Sequence, residues 1–226
     1  MEGVFPGGTG TSRRISQRAQ SSFIAAELTV PMTEISFSRL RAILLDRDGV
    51  INHEPGPILN PEQFAMIPGS ADAVARINSK GWKCLVITNQ AAIARGDLNE
   101  EIFEQITDKM HRELKKSGAH IDGQYFCPHH PDWQNGRRQT NPVPCLCRKP
   151  GTRMLEQASS EHGFVQEEAV FIGDTTTDFA AAAEWGSYSI GVRTGCAGQD
   201  GKMSVDPDYW SDDLWSAVDF LLNNKA

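Results

Sequence analysis

At 226 residues the chain has the length of one domain, or of one domain with a tail. Its 39% apolar and 23% charged residues allow a full-sized core under an ordinary soluble surface. A formal net charge of −7 argues against nucleic acid or an anionic membrane as the main partner, and no apolar run approaches the roughly 20 residues of a membrane span.

Residues 1–37 read as a disordered N-terminal tail. "MEGVFPGGTGTSRRISQRAQSSF" lacks apolar periodicity, and the first 31 residues set Arg13, Arg14 and Arg18 against Glu2 and Glu27. Its composition is that of a transit peptide or of an extension upstream of a working start at Met32. Residues 38–226 read as one domain.

"RAILLD" is a short apolar run ending in a carboxylate, the pattern of a buried parallel strand. "SADAVARINSKG" predicts a helix, with Ser70 as N-cap and Gly81 beyond its end. "KCLVITN" is a second strand. "NEEIFEQITDKMHRELKKSG" predicts a helix with an apolar stripe of Ile102, Phe103, Ile106, Met110 and Leu114. "IDGQYFC", "EAVFIGD" and "SYSIGV" follow as strands; "GTRMLEQASSEHG", "TTDFAAAAEWG" and "SDDLWSAVDFLL" follow as helices. Strands alternating with helices imply a Rossmann-like three-layer α/β sandwich around a parallel sheet. In such sheets ligands sit beyond the carboxyl ends of the strands.

Those ends carry Asp46 and Asp48, Thr88 and Asn89, and Asp174, while Lys149 opens a later helix. Each alone also fits a helix cap or a turn. Together they are the equipment of Mg2+-assisted phosphoryl transfer, with carboxylates for the metal and an ammonium for the phosphoryl oxygens. "LLDRDGVIN", "VITNQ", "CRKP" and "FIGDTTTDFAAA" resemble the four ordered motifs of the haloacid dehalogenase superfamily. The resemblance implies Asp46 as nucleophile, Asp48 as acid and base, and Thr88 and Lys149 as phosphoryl binders. It also implies Mg2+ held by Asp46, Asp174 and the backbone carbonyl of Asp48. Asp178 then either holds a metal-bound water or is a helix-surface acid. About 40 residues separate Asp48 from Thr88, too few for a large cap domain.

Five cysteines, an odd number, and no signal peptide point to a reducing cytoplasm, where clustered cysteines bind metal more often than they pair. Cys127-x-His129 is followed, after fifteen intervening residues, by Cys145-x-Cys147. That donor set suits a closed, structural Zn2+ site. A disulfide, unliganded cysteines, or His130 in place of His129 are the alternatives. Cys84 reads as a core residue.

With this loop the chain resembles the heptose bisphosphate phosphatases more than the related histidinol-phosphate phosphatases, whose loop is shorter. The resemblance implies a small phosphorylated sugar as substrate, with no nucleic-acid or membrane partner, and a cytoplasmic, monomeric enzyme. By it Arg148 recognises substrate, Asn89 and Gln90 line the site, and Glu54 accepts a substrate hydroxyl. Pro55 and Pro57 depart from the family's usual His-Gly-Tyr loop. Arg95 either faces the pocket or pairs within the fold.

Overall fold

The apolar runs become strands because their residues are buried on both faces. The computed structural model describes residues 37–134, 136–138 and 145–224. In chain order the strands are β1 (Ala42–Leu45), β2 (Lys83–Asn89), β3 (Gly123–Cys127), β4 (Trp133–Gln134), β5 (Arg137–Arg138), β6 (Ala169–Gly173), β7 (Tyr188–Val192) and β8 (Tyr209–Ser211). Six form a parallel sheet in the order β3-β2-β1-β6-β7-β8, and β4 and β5 form an antiparallel hairpin.

Alternation along β1 divides the core. Ile43 and Leu45 enter one apolar cluster, and Ala42 and Leu44 enter the other. Helices α1 (Ser70–Ser79), α2 (Ala91–Arg95) and α3 (Glu100–Lys116) precede the Cys/His segment; α4 (Arg153–His162), α5 (Thr176–Trp185) and α6 (Leu214–Asn223) follow it. The first cluster takes α1, α3 and α6, through residues such as Ile77, Ile106 and Leu221; the second takes α4 and α5, through Leu155 and Ala181. The three layers are those expected from the alternation of strand and helix. Between Asp48 and Thr88 the chain holds only loops, a 3-10 turn (Pro61–Gln63), α1 and β2, with no inserted domain.

Several local features differ from the sequence expectation. Ser70 is the first residue of α1 and caps nothing. Its hydroxyl donates to the carbonyls of Ile51 and Ile67, both at 2.8 Å, and Gly69, at φ 84°, turns the chain into the helix. Short β8, α2 and the β4–β5 hairpin carry no periodic signal and were not foreseen. Phe37 lies in the core, edge-on to Tyr188 and Phe220; the rest of the expected tail lies outside the described residues. Among those described, no helix is long and apolar enough to cross a membrane.

Candidate active site

β1 and β6 pair in register, Leu45 with Ile172, so the residues just beyond them emerge side by side. Those residues are Asp46 and, past Gly173, Asp174. Asp174 Oδ2 accepts the Cys196 N–H at 2.7 Å, while its Oδ1 is buried without a partner. Gly49 and Gly195, both at positive φ, close around this carboxylate; a methyl group at either position would collide with it. Asp178 comes from the first turn of α5, which packs directly on Gly173. Its Oδ2 accepts the Thr175 N–H at 3.0 Å and the Thr175 hydroxyl at 2.7 Å.

Lys149 enters this group from the chain that follows the Cys/His segment. Its buried ammonium lies 3.0 Å from Asp46 Oδ1 and 2.7 Å from Asp178 Oδ1, and donates to the Ile87 carbonyl at 2.7 Å. Asp178 is therefore neither a surface acid nor turned to solvent; it is fully buried and pairs with Lys149. Asn89 fixes the same lysine by its backbone: its Oδ1 accepts the Lys149 N–H at 3.0 Å and its Nδ2 donates to the Lys149 carbonyl at 3.2 Å.

Three buried carboxylates around one ammonium leave negative charge uncompensated. Burial pushes Asp46 up to about 7, with Asp178 and Asp48 adding to the rise and Lys149 opposing it. Burial and the charges of Asp46 and Asp178 push Asp174 up to about 8. Burial opposes the charge on Lys149, yet Asp178 and Asp46 hold its pKa above the ordinary value. Carboxylate oxygens of Asp46, Asp174 and Asp178 lie within 4.8 Å of one another. Hard oxygen donors, surplus negative charge and the unpartnered Asp174 Oδ1 suit a divalent cation such as Mg2+.

Asp48 lies on the turn after β1, where Ile51 and Asn52 both donate to the Arg47 carbonyl. Its carboxylate meets the Arg47 fork: Nε to Oδ1 at 3.0 Å, and Nη2 to Oδ1 at 2.9 Å and Oδ2 at 2.7 Å. Asn52 Nδ2 donates to Oδ1 at 2.9 Å, and Gln90 Nε2 donates to Oδ2 at 2.8 Å and to Thr88 Oγ1 at 2.9 Å. Burial opposes ionisation of Asp48. The Arg47 charge and these donors outweigh it and hold the carboxyl below the usual carboxylate range.

Asp46, Asp48, Glu54, Thr88, Asn89, Gln90, Arg148 and Lys149 all line one cleft of about 250 Å³. Asp174 lies beneath it, fully buried. Arg95 meets both expectations, since it lines the cleft and its Nε donates to Asp97 at 2.7 Å. Sequence reasoning missed Arg47, Asn52, Thr175 and Lys202. An arginine set between two acids in "LDRDG" was a usable signal for the first; nothing local marks Lys202, which reaches the cleft from the loop after β7.

Beside the cleft, Cys127, His129, Cys145 and Cys147 turn their donor atoms toward one another. The sulfurs lie 2.9 to 3.7 Å apart, and His129 Nδ1 lies 3.1 to 3.5 Å from each. All three cysteines are free. Four donors at the corners of a small tetrahedron suit one soft cation. His130 takes no part, since its Nδ1 accepts the Asp132 N–H at 3.0 Å. The cluster is tied to the cleft wall: Gln90 N donates to the Cys127 carbonyl at 2.8 Å, and the Arg148 guanidinium donates to the His129 carbonyl at 3.2 Å.

The family model described as HAD-hydrolase-like matches residues 146–217. The D-glycero-D-manno-heptose-1,7-bisphosphate 7-phosphatase of Thermosynechococcus vestitus is 35% identical over 190 residues, 82% of this chain and 97% of that protein. The D-glycero-beta-D-manno-heptose-1,7-bisphosphate 7-phosphatase of Yersinia pestis is 39% identical over 156 residues, 68% and 81% of the two chains. Among solved structures, D,D-heptose 1,7-bisphosphate phosphatase from B. bronchiseptica, complexed with magnesium and phosphate, is 31% identical with a TM-score of 0.71, covering 81% of this chain and 98% of that one. The chain therefore belongs to the heptose-bisphosphate phosphatase family of haloacid-dehalogenase-like hydrolases, which are phosphoric monoester hydrolases.

Proposed function

We propose that the protein removes the 7-phosphate of D-glycero-D-manno-heptose 1,7-bisphosphate, as a cytoplasmic monomer serving surface-glycan synthesis. The observation that carries this reading is the convergence of Asp46, Asp48, Thr88 and Lys149 on one cleft, in a chain whose relatives bear that activity in their names.

Asp46 attacks phosphorus, forming an aspartyl-phosphate as the bond to the sugar oxygen breaks. Asp48 gives its proton to that departing oxygen, and then takes a proton from the water that cleaves the aspartyl-phosphate. The Thr88 hydroxyl and the Lys149 ammonium bind the phosphoryl oxygens. Asp46, Asp174 and the backbone carbonyl of Asp48 would hold Mg2+, which would supply positive charge against the phosphoryl group. Arg148 and Glu54 bind the remainder of the substrate. Asn89 and Gln90 contribute through Lys149 and Asp48 respectively. Cys127, His129, Cys145 and Cys147 would hold Zn2+ as a structural metal, with four protein donors and none left for water.

Steady-state kinetics with purified enzyme and Mg2+ test the substrate. Heptose 1,7-bisphosphate is expected to give the higher kcat/KM against histidinol phosphate; the reverse order overturns the assignment.

A further inference from the structure

Arg47 stands between the two acids of the proposed mechanism, which gives it no role. It is fully buried, and among the described residues its one ion-pair partner is Asp48. The guanidinium is seated 5.6 Å from the centre of the Phe103 ring, on the core side of α3. From that seat its fork grips both oxygens of Asp48.

A carboxylate offers about four acceptor sites. Five bonds fill them: three from the Arg47 fork on the interior side, one from Asn52 on Oδ1 and one from Gln90 on Oδ2. Of these three partners only Gln90 lines the cleft, which makes Oδ2 the cleft-side oxygen. Gln90 Nε2 also has a second acceptor in Thr88 Oγ1. Its bond to Oδ2 can break without leaving the amide unpaired.

We propose that Arg47 is a positioning residue: its fork, braced on Phe103, fixes the plane of the Asp48 carboxylate so that Oδ2 faces the leaving oxygen. The inference rests on Asp48 acting as the proton donor in the proposed mechanism. A guanidinium is required because an ammonium cannot grip two oxygens in one plane.

Two substrates separate positioning from mere support of the turn. A sugar phosphate releases an alkoxide and needs the proton, whereas p-nitrophenyl phosphate releases a stable phenolate and needs it little. The parameter kcat/KM reports the steps through cleavage of the ester bond. R47K is expected to lower kcat/KM on the sugar bisphosphate by on the order of 10²-fold, and on p-nitrophenyl phosphate by less than about tenfold. Phe103→Leu, which removes the ring under the guanidinium while keeping an apolar core side chain, is expected to give the same split at roughly several-fold, and carries the test if R47K does not fold. Equal losses on both substrates, or no loss, overturn the role of Arg47. The phosphatase reading fails separately, if wild-type enzyme is inert on both substrates or Asp46→Asn is as active as wild type.

Discussion

Two clusters of metal-ligand type flank the dipeptide Arg148–Lys149, and they differ in every physical respect. The carboxylates of Asp46, Asp174 and Asp178 are buried, hard and mutually repelling, and one Asp174 oxygen lacks a partner. The Cys127, His129, Cys145 and Cys147 donors are soft, more open to solvent, and each faces the other three. A closed four-donor set can only hold. An incomplete set that borders a cleft leaves positions for a substrate. On the proposed reading the sulfur cluster gives support and the oxygen cluster does the chemistry, and the contrast predicts opposite responses to mutation.

The largest effect is expected from Asp46→Asn. Turnover should fall by on the order of 10⁴-fold or more, as for other lost nucleophiles. The melting temperature should hold or rise, because a carboxylate whose charge burial disfavours is replaced by an uncharged amide. Kinetics and calorimetry on one preparation check this; a large loss of stability would break the contrast. Cys145→Ser, or removal of the thiol-bound metal with Mg2+ restored, should instead lower the melting temperature by roughly 10 °C or more, since a structural metal contributes several kcal/mol. Activity should fall with it, because the cluster's chain runs straight into Arg148 and Lys149. A stripped, Mg2+-replete enzyme with full stability and activity would contradict this.

The next variant tests where the contrast blurs. Asp178 both accepts from Thr175 at the N-cap of α5 and pairs with Lys149. Asp178→Asn is expected to lower stability by about 1–3 kcal/mol, the cost of disturbing a buried charged hydrogen bond, and kcat by roughly tenfold or more, since Lys149 keeps only Asp46 as its carboxylate partner. Denaturant unfolding and steady-state kinetics measure the two losses. Loss of one without the other would show that the two roles of this carboxylate are separable.

These contrasts were unequally legible in the sequence. Apolar runs and the acids at their ends are local signals, so β1, β6, Asp46 and Asp174 could be read directly, as could the Cys/His spacing. What escaped reading depends on groups distant along the chain. Asn89 clamps a backbone sixty residues away, and that partner is visible only once β2 and the segment opening at Lys149 are in place. The Arg47 fork required knowing that Phe103 of α3 packs beneath it. Asp178 at helical spacing from Asp174 suggested a metal-water or surface role; its burial excludes the surface role and the fold adds a pairing with Lys149. Ser70 resembled a cap because serine before an apolar helix usually is one, yet a loop carbonyl from Ile51 competes for its hydroxyl.

The smallest expected effect isolates the oxygen cluster's charge. Asp46 and Asp174 are held near 7 and 8, against about 4 in an unfolded chain. Between those values the folded protein binds more protons than the unfolded one, so stability falls as pH rises. The two groups' contribution is complete below about pH 4 and is lost as pH rises through 7 and 8. Asp48 has the opposite sign, and its depressed pKa matters only in acid. Protein freed of Mg2+, with the sulfur cluster still loaded, should therefore melt several degrees lower at about pH 8 than at about pH 5.5. Mg2+, on the proposed reading a ligand of the ionised carboxylates, should recover the loss at the higher pH by mass action. Asp174→Asn should flatten the slope while leaving the response to thiol-directed chelation intact. A melting temperature that rises through this window without Mg2+ would mean that the cluster's charge is already neutralised by Lys149 alone, and that the oxygen cluster is as complete as the sulfur one.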